Sequence, residues 1–246
     1  MVLFNKIIQR IHLWVGLLLG IQVSLWMLSG VFMSWFHIDL VRGDTNAFIT
    51  PPPELEASAY ASPGGVIAQV DGATSLELRS FMNRPVYEIT SADGVALFDA
   101  STGQKLSPIS EDTARAVAKQ DYVGEGKIVK IALMSETPYE YRKEKPVWRV
   151  DFNDNLHTRI YVSPSTGEVA SRRNDVWRIF DFLWMLHIMD YGERTDFNNP
   201  LLKAASATGL LFAISGLIMV VMKKGRNQIA RDIGFITRRR RKQAPK

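Results

Sequence analysis

The chain contains two long apolar runs, one near each end, and between them a stretch in which apolar and polar residues alternate. Residues 11–38 include no Asp, Glu, Lys or Arg, and as a helix this run would extend about 42 Å, more than the roughly 30 Å of bilayer hydrocarbon. Residues 204–222 form a second uncharged run. Both are predicted to be transmembrane helices. The first is too long for a signal-peptide core, and residues 34–37 (SWFH) do not resemble a cleavage site, so it is expected to be retained.

The central stretch repeats itself. Residues 84–89 (RPVYEI) are echoed by residues 145–150 (KPVWRV), and residues 97–103 (LFDASTG) by residues 160–167 (IYVSPSTG). Alternating apolar residues separated by turn residues are typical of β-hairpins. A helix is predicted over residues 111–120, with Ser110 as its N-cap. The simplest interpretation is two small α+β units in tandem.

Residues 175–191 follow the second α+β unit and have a third pattern. Trp177, Phe180, Trp184 and His187 recur at helical spacing, and charged residues such as Asp181 interrupt the run. This pattern predicts an amphipathic helix that lies in the membrane interface and does not cross the bilayer.

These patterns predict one order of segments along the chain. They are a cytoplasmic N-terminus over 1–10, transmembrane helix 1 over 11–38, a tether over 39–65, a first unit over 66–110, a second unit over 111–174, the interfacial amphipathic helix over 175–191, a linker over 192–203, transmembrane helix 2 over 204–222 and a basic tail over 223–246. The fold class expected is a membrane protein in which two transmembrane α-helices flank an extracytoplasmic α+β region. The tether contains Pro51-Pro52-Pro53, a stiff sequence.

Charge indicates the topology. The net charge is +5, of which residues 1–10 contribute +2 and residues 223–246 contribute +9, which leaves −6 for residues 11–222. Basic residues next to spans stay in the cytoplasm, so both termini are predicted to be cytoplasmic and the central region periplasmic or otherwise extracytoplasmic, in the inner (plasma) membrane. The partner expected for the basic tail is the lipid bilayer, not nucleic acid.

The sequence offers few catalytic motifs. It contains no Cys, no His-Glu-x-x-His, no Gly-rich phosphate loop and no Gly-x-Ser-x-Gly. Hydrolysis, phosphoryl transfer and nicotinamide chemistry therefore lack a visible site, and no catalytic residue is assigned. Redox chemistry would require a bound cofactor.

The repeats and the apolar runs resemble a known family. The repeated Pro-Val-Tyr/Trp and Ser-Thr-Gly motifs resemble the PepSY domain, and His12-Leu-Trp-Val-Gly16 with Leu28-Ser29-Gly30 and Ile214-Ser215-Gly216 resemble the PepSY-associated transmembrane family. The resemblance implies two PepSY-like units outside the cytoplasm. It also implies kinship with iron-regulated inner-membrane proteins and ferric-siderophore reductases that carry b-type haem. The reductases have about four spans, whereas two are predicted here.

Three of the four histidines lie at membrane-associated positions. In the haem hypothesis, His37 and His187 meet at the outer membrane face as axial ligands of a haem iron, and Trp35, Phe36, Trp184 and Met185 provide a flat apolar slot. The alternative is an ordinary interfacial belt of aromatic residues. His12, with Gly16 and Gly20 on one helix face, would mark an inner haem or a helix-packing motif. His157, the fourth histidine, is expected to be a solvated surface residue without a role.

Other polar and small residues in the two spans are expected to contact a neighbouring helix. Because polar groups are costly in lipid, the residues expected to face a helix are His12, Gln22, Ser24, Ser206 and Thr208. The pairs Ser29-Gly30 and Ser215-Gly216 are expected to form matched contacts between the two spans.

The sequence leaves two hypotheses for the function, one of electron transfer and one of partner binding. The first is a haem-binding inner-membrane electron-transfer protein, a component of a ferric reductase-type oxidoreductase that supports reduction of extracytoplasmic ferric complexes. A two-span chain would then need a homodimer or a larger membrane electron-transfer partner to enclose haem b. The alternative is a non-catalytic PepSY membrane protein that binds a partner protein or peptide by strand addition, in assembly or regulation.

Overall fold

A computed structural model of the chain describes residues 2–47, 60–136 and 138–218, without the side chains of residues 2–9, 11, 12 and 46. The chain forms two compact regions. Of the described residues, the helical region contains 2–32 and 183–218, and the sheet region contains 33–47, 60–136 and 138–182.

Two helices of the chain are long and apolar enough to cross a membrane. Helix α1 is Val2–Trp35, of which Leu13–Trp35 is the apolar part, and the second such helix is Pro200–Ile218. Their apolar side chains are mostly exposed, as expected for helices that face lipid and not a protein core. The predicted second span extends to residue 222, and its last four residues lie outside the described part of the chain.

The spans approach each other closely at Gly16. A Cβ atom added there would lie 3.1 Å from Cζ of Phe212, the close approach expected at Gly16 of a helix-packing motif, whereas no described atom lies within 4 Å of a Cβ added at Gly20. The predicted contact between the Ser-Gly pairs is wrong. Among the described residues nothing lies within 4 Å of a Cβ added at Gly30 or Gly216.

The sheet region begins with an antiparallel three-stranded sheet. Its strands are β1 (Ala73–Phe81), β2 (Arg84–Ser91) and β3 (Gly94–Asp99), in the order β1-β2-β3. A short helix, which we label α3 (Pro63–Ile67), precedes them. Alternating residues of β2 and β3 point into one small core, which contains Val66, Tyr87, Ile89, Phe98 and Ala100.

A four-stranded antiparallel sheet follows. Helix α4 (Glu111–Asp121) begins at Ser110, whose hydroxyl accepts a hydrogen bond from the Thr113 amide at 3.2 Å and so confirms the predicted N-cap. The strands are β4 (Ile128–Met134), β5 (Val147–Phe152), β6 (Arg159–Val162) and β7 (Val169–Arg173), in the order β4-β5-β6-β7. Their core with α4 contains Ile109, Ala114, Val117, Ala118, Val150, Phe152, Ile160 and Val162.

The end of β1 packs on the turn between β6 and β7. Arg79 Nη2 donates a hydrogen bond to the Thr166 carbonyl oxygen at 2.6 Å. Gly167 has a φ of +72°, and a Cβ added there would lie 2.6 Å from Cζ of Phe81. The second Ser-Thr-Gly motif therefore takes part in the contact between the two sheets.

Both ends of the predicted tether pack on folded structure. A short helix, α2 (Ile38–Arg42), is followed by a 3-10 turn, Asp44–Asn46. Arg172 Nη1 donates to Asp44 Oδ1 at 3.0 Å, and Ala61 N donates to the Ala100 carbonyl oxygen at 2.7 Å. Residues 48–59, with the proline run, lie outside the described part of the chain.

The last two helices complete the structure. Helix α5 is Asp175–Ile188, within the predicted amphipathic segment, and α6 is the apolar helix Pro200–Ile218. Asn199 caps α6, because its Oδ1 accepts a hydrogen bond from Leu202 N at 2.9 Å. Pro200 occupies the first helical position, where a missing amide costs nothing.

Candidate histidine site

His187, in the last turn of α5, is bonded to a serine of α1. Nδ1 of His187 lies 2.7 Å from Oγ of Ser29. Ser29 is completely buried, and its Oγ also lies 2.8 Å from the Leu25 carbonyl oxygen and 3.0 Å from the Trp26 carbonyl oxygen. The imidazole is half-buried. A hydroxyl inside an apolar span thus provides its hydrogen-bond partner.

Side chains also hold the end of α5. The last carbonyl groups of a helix lack partners within the helix. Here Trp26 Nε1 donates to the His187 carbonyl oxygen at 2.8 Å, Gln22 Nε2 donates to that of Leu186 at 3.4 Å, and Asn199 Nδ2 donates to that of Ile188 at 2.9 Å. The backbone on both sides of His187 is therefore anchored.

The ring of Trp184 lies parallel to the ring of His187. The two rings are nearly parallel, at an interplanar angle of 7° and a centroid distance of 6.4 Å. The indole is itself fixed, since Trp184 Nε1 donates to the Arg194 carbonyl oxygen at 3.2 Å. The imidazole is thus held at Nδ1 and through its backbone, with the indole of Trp184 parallel to it.

His37 lies in the sheet region, just after α1. Its side chain is 78% exposed, and Nδ1 lies 3.5 Å from Asp39 N and 3.2 Å from Asp39 Oδ2 at the start of α2. Because His187 belongs to the helical region, the predicted pairing of His37 with His187 stays a prediction. The side chain of His12, in α1, lies outside the described part of the chain.

His157 is at the surface, as predicted. Its side chain is 72% exposed, and Nδ1 lies 2.7 Å from Asp175 Oδ2. Burial would raise the pKa of Asp175, but the hydrogen bonds from His157 and Arg178 hold this pKa below its usual value. The contact belongs to the N-terminus of α5 and suits a structural role.

The prediction for polar residues in the spans is right for Gln22 and wrong for Ser24, Ser206 and Thr208, which are exposed. The reason for Ser24 and Thr208 is local. Ser24 Oγ donates to the Gly20 carbonyl oxygen, and Thr208 Oγ1 to that of Ala204, each at 2.8 Å. A hydroxyl that bonds to the preceding helical turn does not need a second helix.

Sequence reasoning missed the partners of His187. Gln22, Trp26 and Ser29 are spaced by four and three residues, so they share one face of α1. Three hydrogen-bonding side chains on one face of an apolar helix were the available signal. Ser29 instead drew attention only as a small residue beside a glycine.

A buried charge cluster in the sheet region was also missed. Glu140 is 1% exposed, and its carboxylate accepts hydrogen bonds from Tyr161 Oη at 2.6 Å, Arg159 Nη1 at 2.7 Å and Arg178 Nε at 3.0 Å. Burial favours a raised pKa for Glu140, but these donors and the arginine charges lower the pKa overall. Burial and the Glu140 carboxylate raise the pKa of Tyr161. The cluster links β6 to α5.

Comparison with known proteins places the chain in a family. A family model for the PepSY-associated TM region matches residues 9–246. No curated protein and no solved structure matches the chain. The match covers both apolar helices and the sheet region between them, in agreement with the motifs of the sequence. The chain therefore belongs to the PepSY-associated transmembrane family and is a membrane protein.

Proposed function

We propose that this membrane protein binds haem through His187 and transfers electrons outward, supporting the reduction of ferric complexes outside the cytoplasm. The proposal rests on the hydrogen bonding of the two ring nitrogens of His187. Its Nδ1 is occupied by Ser29, whereas Nε2 makes no hydrogen bond to any described residue. Histidines that bind metals have this arrangement, with one ring nitrogen on the metal and the other hydrogen-bonded.

The donor set fits haem better than a bare metal ion. Among the described residues there is no group of three or more His, Cys, Asp or Glu that could hold a metal ion. Zinc needs three or four protein ligands, whereas a porphyrin itself supplies four ligands to its iron and leaves only the axial positions to the protein. One well-oriented imidazole is therefore a useful ligand.

Trp184 would orient this ligand. Its ring is parallel to the imidazole, so it would help to fix the plane of a histidine that supplies Nε2 to a haem. His37 remains the proposed second axial ligand. Its Nδ1 is likewise engaged, at the start of α2, and its side chain is exposed. His12 remains the proposed ligand of an inner haem.

The direction of electron flow rests on the proposed topology. Both basic ends lie in the cytoplasm and the sheet region lies in the periplasm, in the inner membrane. Lys6, Arg10 and the ten basic residues after residue 222 support this orientation. Haem supplies one-electron chemistry when bound, and the protein supplies the ligand and its orientation.

Absorption spectroscopy tests the proposal directly. Full-length protein purified in mild detergent from haem-replete cells should show a Soret band, and His187→Ala should remove the part of it that belongs to the outer haem. His157→Ala is the matched control, because that imidazole is bonded only at the surface. A colourless wild-type protein, or equal loss in both variants, would contradict the proposal.

A homodimer would complete the cofactor cage. Cages in helix bundles draw on about four helices, and a two-fold dimer of this chain supplies four spans. Gly20 offers a free face for such packing, because no described atom lies within 4 Å of a Cβ added there. Gly20→Cys should cross-link, and Gly16→Cys, covered by Phe212, should not. A monomer with its full haem complement would contradict the dimer, and a complex with a different protein would favour a larger electron-transfer partner.

A second candidate function, partner binding by strand addition, is favoured by one observation. Strand β4 lies at the edge of the four-stranded sheet, and Val129 and Leu133 in it are 62% and 51% exposed. An exposed apolar edge can accept another strand. Val129→Lys should abolish capture of such a partner and leave the absorption spectrum unchanged. Capture that survives this substitution would count against β4.

A further inference from the structure

The Ser29 hydroxyl has more potential hydrogen-bond acceptors around it than its single proton can satisfy. A hydroxyl has one proton to donate and can also accept. Oγ of Ser29 lies within 3.0 Å of two backbone carbonyl oxygens, those of Leu25 and Trp26, and within 2.7 Å of Nδ1 of His187. Carbonyl oxygens only accept, so the serine proton must point toward them.

We infer that Ser29 is a positioning residue that holds His187 in the tautomer protonated at Nδ1, which leaves the lone pair on Nε2. If Ser29 instead donated to Nδ1, its oxygen would lie 2.8 Å and 3.0 Å from two carbonyl oxygens with no proton between them. That arrangement is repulsive. If Nδ1 carries the proton, it donates to Oγ of Ser29. The Ser29 hydroxyl then donates its own proton to the carbonyl oxygen of Leu25 or Trp26, or shares it between the two.

The surroundings make this arrangement rigid. Ser29 is completely buried, so water cannot compete for its hydroxyl. The indole of Trp26, one turn earlier in α1, donates to the carbonyl oxygen of His187 itself, and the ring of Trp184 is parallel to the imidazole. A change of tautomer would therefore break the contact with Ser29 without an alternative partner among the described residues.

The inference deepens the proposed function and rests on it for its purpose. A hydrogen bond from the second ring nitrogen orients a ligating histidine and makes it more basic, and its loss typically lowers metal affinity by about 10–100-fold. Ser29 supplies a neutral acceptor, which is weaker than a carboxylate. A proton on Nδ1 of His187 leaves the lone pair of Nε2 available to bind iron.

Nitrogen-15 NMR of the haem-free protein tests the tautomer without any cofactor. The full-length chain, labelled at histidine and prepared in detergent from haem-deficient cells, gives ring-nitrogen resonances, and His187→Ala identifies those of His187. We expect a protonated Nδ1 and an unprotonated Nε2 in the wild type. Ser29→Ala should shift His187 toward the Nε2-protonated form that free neutral histidine prefers. Ser29→Thr, which keeps the hydroxyl, should restore the wild-type pattern.

Ser24→Ala is the matched control, since Ser24 lies on the same helix and bonds only to its own backbone. An Nε2-protonated His187 in the wild type overturns the inference, and so does a tautomer that Ser29→Ala leaves unchanged. Once His187→Ala has identified the resonances, the wild-type spectrum decides the first point even if a Ser29 variant fails to fold. A haem titration of the same samples is a separate readout. If the tautomer is as expected but the wild type binds no haem, the proposed function fails and the role of Ser29 stands.

Discussion

Nδ1 of His187 and Oγ of Ser29 lie 2.7 Å apart, although 158 residues separate them in the sequence. The contact joins the only histidine of α5 to a buried hydroxyl of an apolar helix. A polar pair among apolar side chains is stabilised only if its hydrogen bonds are satisfied. Ser29 satisfies this condition for His187, and the carbonyl groups of α1 satisfy it for Ser29.

The close approach at Gly16 predicts a stability effect in the helical region. Gly16→Leu should destabilise the protein by about 1–3 kcal/mol, because the added side chain must displace the ring of Phe212. Thermal unfolding in detergent measures the effect. Gly209→Leu is the control, since no described atom lies within 4 Å of a Cβ added there. Equal effects of the two substitutions would show that the spans do not pack at Gly16.

The two repeated Ser-Thr-Gly motifs predict different costs for one substitution. Gly103 and Gly167 have φ values of +71° and +72°, so Gly→Ala at either position costs about 1–2 kcal/mol of backbone strain. Only Gly167 lies against the ring of Phe81. We expect Gly167→Ala to destabilise the sheet region by about 1–3 kcal/mol more than Gly103→Ala. Denaturant unfolding followed by circular dichroism compares them, and equal losses would contradict the contact between the sheets.

The buried carboxylate of Glu140 predicts a further loss of stability. Glu140→Gln removes the buried counter-charge of Arg159 and Arg178, although Arg159 keeps Asp151 at 3.7 Å and Arg178 keeps Asp175 at 2.6 Å. We expect a loss of about 2–3 kcal/mol, because breaking a buried pair typically costs about 3–5 kcal/mol and Arg159 is partly exposed to screening solvent. Glu111→Gln, which breaks an exposed pair with Arg115, should cost only about 0.3–0.5 kcal/mol. A Glu140→Gln loss as small as this would contradict the role of the cluster.

Glu140 also predicts a pH dependence. Its pKa in the folded protein lies below the usual value of 4.5, so its contribution to stability is full above about pH 4.5 and is lost as the pH falls through the folded-state pKa. Stability of the wild type should therefore fall more steeply in acid than that of Glu140→Gln. Denaturant midpoints measured between pH 7 and pH 3 test this expectation. Parallel curves for the two proteins would contradict it.

The proposed topology predicts the activity of reporter fusions. Alkaline phosphatase, which needs an oxidising compartment, should be active when fused after residue 120 and inactive when fused after Lys246. A fluorescent protein that matures in the cytoplasm should give the opposite pattern. The physical reason is the basic charge next to both spans. An active phosphatase at the C-terminal position would contradict a cytoplasmic tail.

Much of the architecture follows from local pattern. Uncharged runs of the right length indicate the two spans, and Ser110 before Glu111 indicates the start of α4, because a hydroxyl at that position bonds to the first free amides. The family resemblance also rests on short motifs that can be recognised directly, and the comparison confirms it. Periodicity and capping act over a few residues, so a single sequence contains them.

The site depended on contacts that local pattern does not contain. His187 was a candidate from the sequence, but its partner Ser29 lies on a different helix, and its role follows only from where α1 and α5 meet. The same holds for Glu140, because its partners Arg159 and Arg178 lie on β6 and α5 and reach its carboxylate only in the folded structure. The sequence determined which elements form and which of them are apolar enough to cross the membrane. Tertiary structure alone decided which polar groups form hydrogen bonds and ion pairs with each other. Such contacts between residues distant in sequence need separations of about 3 Å, which only packing sets.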